Sequence, residues 1–62
     1  MQRAPGRVPL AYSPRGAAEA SSFSLREVMK AIADGELRSF KRGRRRIILR
    51  EDLEQFLNRQ TA

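Results

Sequence analysis

Lys41-Arg42-Gly43-Arg44-Arg45-Arg46 is the stretch on which the reading of this chain turns. Five of its six residues are cationic and the sixth is glycine. Phe40 precedes it, and the apolar run Ile47-Ile48-Leu49 follows it. An apolar segment, a charged turn with glycine and a second apolar segment form the pattern of a short β-hairpin with a basic tip. Leu37 to Arg42 and Arg46 to Leu49 read as its strands, with Gly43 in the turn, where positive φ is often needed. Strand side chains alternate, so the five cations cannot all point one way. Gly43, Arg44 and Arg45 are expected at the tip. Strand pairing this short is unstable alone and needs a helix to cover it.

Outside this stretch the charge is nearly balanced. The net charge is +6. Arg38 to Arg46 alone holds six positive residues and no negative one. Cations clustered in this way point to a polyanionic partner, with nucleic acid first and an anionic membrane surface second. Sixty-two residues allow one small domain. The chain has no cysteine and no histidine, which excludes a disulfide framework and an ordinary zinc site. The domain must stand on a small apolar core or gain stability from a partner. Its longest apolar run is far too short to span a bilayer, and no secretory leader pattern opens the chain. A cytoplasmic, nucleoid-associated location is expected, with no membrane partner.

Met1 to Tyr12 carries Pro5, Pro9, Gly6, Arg3 and Arg7 without helical or alternating period, and reads as a flexible basic arm over residues 1–12. Ser13-Pro14 marks a helix start, with serine as N-cap and proline at the first helical position. The helix it opens, Pro14 to Ser21, is weak: Gly16 disfavours it by roughly 1 kcal/mol against alanine, and its apolar residues are alanines. After the break at Ser22-Phe23, Ser24 and Glu27 form a capping box for a second helix. Leu25, Val28, Met29 and Ile32 fall at i, i+3, i+4 and i+7, an apolar stripe. Arg26, Glu27, Lys30 and Ala33 take the other side. Asp34-Gly35 ends the helix, with Gly35 suited to a left-handed C′ position. Glu51-Asp52 then opens a third helix with the charge its dipole favours. Leu53, Phe56 and Leu57 form its buried face, and it is expected to fray after Asn58. Val28, Ile32, Leu37, Phe40, Ile48, Leu53, Phe56 and Leu57 are the expected core, with Tyr12 at the domain edge.

Two helices across a short break, a basic hairpin and a covering helix make an α+β fold: a small winged helix-turn-helix with a two-stranded wing and a C-terminal helix, over residues 13–59, followed by a frayed tail at 60–62. An α-helix fits the major groove, where the first residues of the second helix reach base edges. A hairpin tip carrying arginines reaches phosphates or the minor groove.

Specific stretches carry a family resemblance. They are Ser13-Pro14 and Ala17-Ala18-Glu19; Ser24 and Val28; Ile32-Ala33-Asp34-Gly35-Glu36-Leu37; Lys41 and Gly43-Arg44-Arg45; Ile48; and Arg50-Glu51-Asp52-Leu53-Glu54 with Phe56-Leu57. Together these resemble the excisionase and MerR-type winged helix-turn-helix domain, over about three-quarters of the chain. The chain departs from that pattern at Ala20-Ser21-Ser22, where the family carries large apolar residues and a turn glycine. It departs again at Leu25, often arginine, and at Arg46, often aromatic. The resemblance implies double-stranded DNA binding, by the second helix in the major groove and the wing in the minor groove. Small members without an effector domain resemble phage or plasmid excisionases, recombination directionality factors that bend DNA, bind cooperatively and steer an integrase (a tyrosine recombinase) toward excision. The lack of a further domain favours that role over a regulator with a dimerisation helix and sensor region.

The candidate DNA-binding residues are Leu25, Arg26, Glu27 and Lys30 on the second helix, and Lys41, Arg42, Gly43, Arg44, Arg45 and Arg46 on the wing. Arg26 and Lys30 are four apart, a mildly destabilising like-charge pair that an anionic partner relieves. The alternative for these residues is a solvated face, with Glu27 only capping its helix. Leu25 fits the core by spacing, but at the helix start it can also meet a thymine methyl. For the wing the alternative is a solvated cluster or a targeting signal. No cofactor is implied, and catalysis is not expected: the serines have no histidine or cysteine beside them to form a nucleophilic site. Two other functions fit the same residues: a small winged-helix transcription regulator, and a basic adaptor for RNA or protein.

Overall fold

Local capping signals set the helices. In the computed structural model, which describes residues 9–61, Ser13 takes an extended backbone and its Oγ accepts from the Gly16 N–H at 3.0 Å. Helix α1 follows over Pro14–Ser21, with proline in its first turn. Helix α2 spans Leu25–Ala33. Its capping box is complete: the Glu27 N–H donates to Ser24 Oγ at 3.1 Å, and the Ser24 N–H donates to Glu27 Oε1 at 2.8 Å. At its other end Glu36 N–H donates to the Ala31 carbonyl and Gly35 N–H to that of Ile32. Those two bonds define a Schellman cap, and Gly35 supplies its left-handed residue with φ +80°.

Between α1 and α2 the chain turns through Ser22, the only non-glycine residue with positive φ among the described residues, at +68°. Here the resembled pattern has glycine. Ser21 supports the strained turn, donating its hydroxyl to the Ala18 carbonyl and accepting the Phe23 N–H at 3.2 Å. Ala17 and Ala18 are both buried, so α1 packs through small side chains that allow close approach.

Strand β2 covers Phe40–Arg42 and β3 covers Arg45–Leu49, antiparallel, with Phe40 opposite Ile47, Lys41 opposite Arg46 and Arg42 opposite Arg45. The sequence placed only two strands here. A third, β1, is formed by Ala11–Tyr12, which pairs with Leu49 and Ile48, so the sheet order is β1-β3-β2. Ala11 and Tyr12 are therefore sheet residues and not the end of an arm. Residues 1–8 of the expected arm lie outside the described residues. The Leu10 carbonyl accepts the N–H of Arg50, one of the donors left unpaired at the start of the last helix. That helix, α3, runs over Arg50–Thr61 directly from β3. It continues past Asn58, where fraying was expected; Thr61 Oγ1 bonds the Asn58 carbonyl at 3.0 Å.

The core consists of Ala17, Ala18, Val28, Ala31, Leu37, Ile48, Leu53 and Phe56. Ile48 is fully buried at the centre of the sheet. Phe40, expected in the core, is 46% exposed. Its partner Ile47 lies on the sheet face opposite Ile48, and directly paired residues share a face. Ile32 and Leu57 are half-buried against the core. Phe23, read from the sequence only as a break, packs its ring edge-on against Phe56 with centroids 5.6 Å apart. Phe23 and Val28 occupy the N′ and N4 positions of a hydrophobic staple on α2. A side chain of α3 closes the arrangement: Arg59 Nη2 donates to the Glu36 carbonyl, tying α3 to the loop after α2.

Candidate nucleic-acid interface

Helix α2 is fixed at both ends, by the capping box and by the Schellman turn, so its free face is presented rigidly. Val28 and Ala31 are the residues it buries. Both lie to one side of the expected apolar stripe, and this rotates the stripe partly into solvent. Leu25 is 36% exposed and Met29 43% exposed. With 3.6 residues per turn, the face opposite Val28 and Ala31 carries Arg26, Met29, Lys30 and Ala33, with Leu25 at its edge. Leu25, expected in the core by its spacing, thus joins the exposed surface.

The polar residues of α2 differ in their commitments. Arg26 is exposed and makes no ion pair among the described residues. Lys30 Nζ lies 3.0 Å from Asp34 Oδ2, in an exposed i, i+4 pair. That hydrogen bond and the charge of Asp34 raise the Lys30 pKa above its ordinary value, with Glu36 adding to the effect. Glu27 spends one carboxylate oxygen on its own N-cap. With Lys30 it also lines the cleft bordered by Phe23 and Phe56. Its geometry is that of a capping residue. Met29 belongs to the apolar stripe by its i+4 spacing but is exposed, because α2 buries Val28 and Ala31 instead.

The wing carries its charge on both faces. Gly43 and Arg44 form a two-residue loop between β2 and β3, with Gly43 at φ +64°. Positive φ at the first loop residue alone is the signature of a type II′ turn. The tip is therefore Gly43-Arg44, and Arg45 is already a strand residue paired with Arg42. Alternation puts Lys41 and Arg46 on the face shared with Ile48, and Arg42 and Arg45 on the other. Both cross-strand pairs nearest the loop, Lys41 with Arg46 and Arg42 with Arg45, thus set cation against cation. Like charges directly opposite destabilise a hairpin.

Lys41, Arg42, Arg44 and Arg45 are exposed, whereas Arg46 is half-buried. Its Nη1 donates to Ser39 Oγ at 2.8 Å, so it also braces the base of the wing. Arg44, Arg45 and Arg46 form one wall of an open cleft of about 610 Å³, whose other wall is Ala11, Tyr12, Ser13 and Pro14. Three of the eight residues lining the cleft are arginines, and the positive charge there favours an anion.

Among the described residues no helix is long and apolar enough to cross a membrane. No curated protein and no solved structure matches the chain. A family model does: the helix-turn-helix domain matches residues 11–61, from the first residue of β1 to the last of α3. That match bears out the resemblance carried by the turn, wing and final-helix residues. Capped α2, the turn before it and the winged sheet behind it are thus parts of one known design, and the chain belongs to the helix-turn-helix domain family of DNA-binding proteins.

Proposed function

We propose that this protein is a sequence-specific, architectural DNA-binding factor of the excisionase kind, which bends duplex DNA and directs an integrase toward excision. The observation that carries the DNA-bending part is the wing register. Two cation–cation pairs stand directly opposite each other across a short hairpin. That arrangement is unfavourable in isolation and favourable between two rows of phosphates. A hairpin with cations on both faces suits a minor groove, whose two walls each carry a phosphate strand. Helix α2 takes the major groove, with Arg26 as the side chain freest to reach a base edge. Wing and helix engaged in adjacent grooves favour a bent duplex, because bending lets more of the protein touch the backbone.

In this reading Lys41, Arg42, Arg44, Arg45 and Arg46 hold the backbone, Gly43 shapes the tip, and Leu25, Arg26 and Lys30 face the bases. Glu27 fixes the start of the reading helix. The partners are duplex DNA, a tyrosine recombinase and neighbouring copies on the same DNA, and the setting is the cytoplasmic nucleoid.

Competition binding tests the DNA part. A specific duplex, selected from a random library, should outcompete random duplex and structured RNA; equal competition by all three would sink the reading in favour of a basic adaptor. An excision assay with the cognate integrase tests the rest. Stimulated excision supports the directionality role. Specific binding without any effect on excision would instead mark a transcription regulator on the same fold.

A further inference from the structure

Large apolar side chains in water are informative where they gather. Four stand out among the described residues: Leu10, Leu25, Met29 and Phe40. Two of them, Leu25 and Met29, are one helical turn apart on α2 and therefore adjacent on its surface. They lie together to one side of Arg26, Met29 on the face turned away from Val28 and Ala31 and Leu25 at its edge. The rest of that face is small or cationic: Ala33 and Lys30.

We infer that Leu25 and Met29 read thymine methyl groups to one side of a base contacted by Arg26, so that the site under α2 is a guanine with thymines next to it. This rests on the proposed reading that α2 enters the major groove. The polar inventory of the helix narrows the choice. Glu27 is committed to the N-cap and Lys30 is shared with Asp34. Arg26 is left as the one unengaged hydrogen-bonding side chain of the face, and arginine pairs best with guanine O6 and N7. Beside it the helix offers only hydrocarbon and a thioether. In the major groove the complementary apolar group is the thymine C5 methyl. Charge decides the occupant. A protein partner for an apolar patch must also accommodate the flanking Arg26 and Lys30, whereas a duplex neutralises both.

The test uses the full chain and a duplex selected from a random library. Thymines of that site are replaced one at a time by deoxyuridine, which removes the methyl and nothing else. Two positions should weaken binding by about fourfold each, the equivalent of one buried methylene group. Leu25→Ala should abolish the uridine effect at one position and Met29→Ala at the other. Arg26→Ala should keep both uridine effects while losing the guanine preference. Both apolar residues are exposed, and unchanged thermal unfolding of the alanine variants verifies that the fold is intact. Uniform tolerance of uridine in a site that is still selected overturns this inference and leaves the proposed function standing. So does unchanged affinity and site preference in both alanine variants, which would assign the patch to a protein partner. A selection that yields no preferred sequence defeats both readings.

Discussion

Helix α2 and the wing present charge in opposite ways. On α2 the charged side chains are largely spoken for: Glu27 by the N-cap and Lys30 by Asp34. On the wing the cations face one another across the strands, and only Arg46 has a side-chain partner among the described residues. The helix is held at both ends by hydrogen bonds, while the wing tip is held only by a two-residue turn. The contrast separates two tasks. Exposed, mutually repelling cations suit a partner of uniform negative charge, and a rigid helix with few free polar groups suits discrimination among bases.

The heaviest blow to both regions at once is expected from Ile48→Ala. Ile48 is fully buried and lies in the strand shared by β1 and the wing. Its truncation should lower unfolding free energy by about 2–5 kcal/mol in denaturant titrations, and binding should fall with the folded fraction.

The next change separates the two regions. With the five wing cations on phosphates, log K against log salt should have a slope of roughly −4.5. Arg44→Ala with Arg45→Ala should make it shallower by about 2 and weaken all sequences alike. A slope that does not move would show that these arginines stay off the backbone. Arg26→Ala is the mirror image: a loss of about 1–3 kcal/mol on the selected site, little loss on random duplex and little change of slope.

A smaller effect concerns the turn that positions α2. Ser22→Gly removes a left-handed residue other than glycine, and should raise stability by about 0.5–1 kcal/mol, read as a higher melting temperature. If stability falls instead, the Ser21 hydroxyl bonds have already relieved the strain. The smallest effect is with pH. Lys30 has a raised pKa in the folded state. Its contribution is therefore complete below the ordinary lysine pKa and is lost only as pH rises through the folded value. With no histidine in the chain, DNA affinity measured from pH 6.5 to 8.5 should be flat. A step in that window would mean that the α-amino group or a partner group titrates at the interface.

Much of this fold could be read from local signals, because they act within a few residues. Ser13, Ser24 and Gly35 sit where capping requires them, and Gly43 opens the wing turn. Local signals are silent where a residue's surroundings come from far along the chain. Ala11–Tyr12 is too short to show alternation, and it is a strand only because β3 offers an edge at Ile48 and Leu49. Phe23 lies between helices and carried no periodic signal, and its partner Phe56 is far along the chain on α3. Phe40 was assigned to the core on hydrophobicity alone, but register places it on the outer face.

The same division holds at the candidate interface. By itself the sequence determined that a basic hairpin follows a capped helix, since turn chemistry and capping are satisfied by neighbouring residues. Only the tertiary structure decided which way the side chains face. The burial of Val28 and Ala31 turned Met29 outward and left Leu25 at the edge of the exposed face. The pairing of β2 with β3 set Lys41 against Arg46 and Arg42 against Arg45. Helical rotation and strand register are fixed by the packing of the whole core, and a spacing in the sequence is compatible with more than one of each.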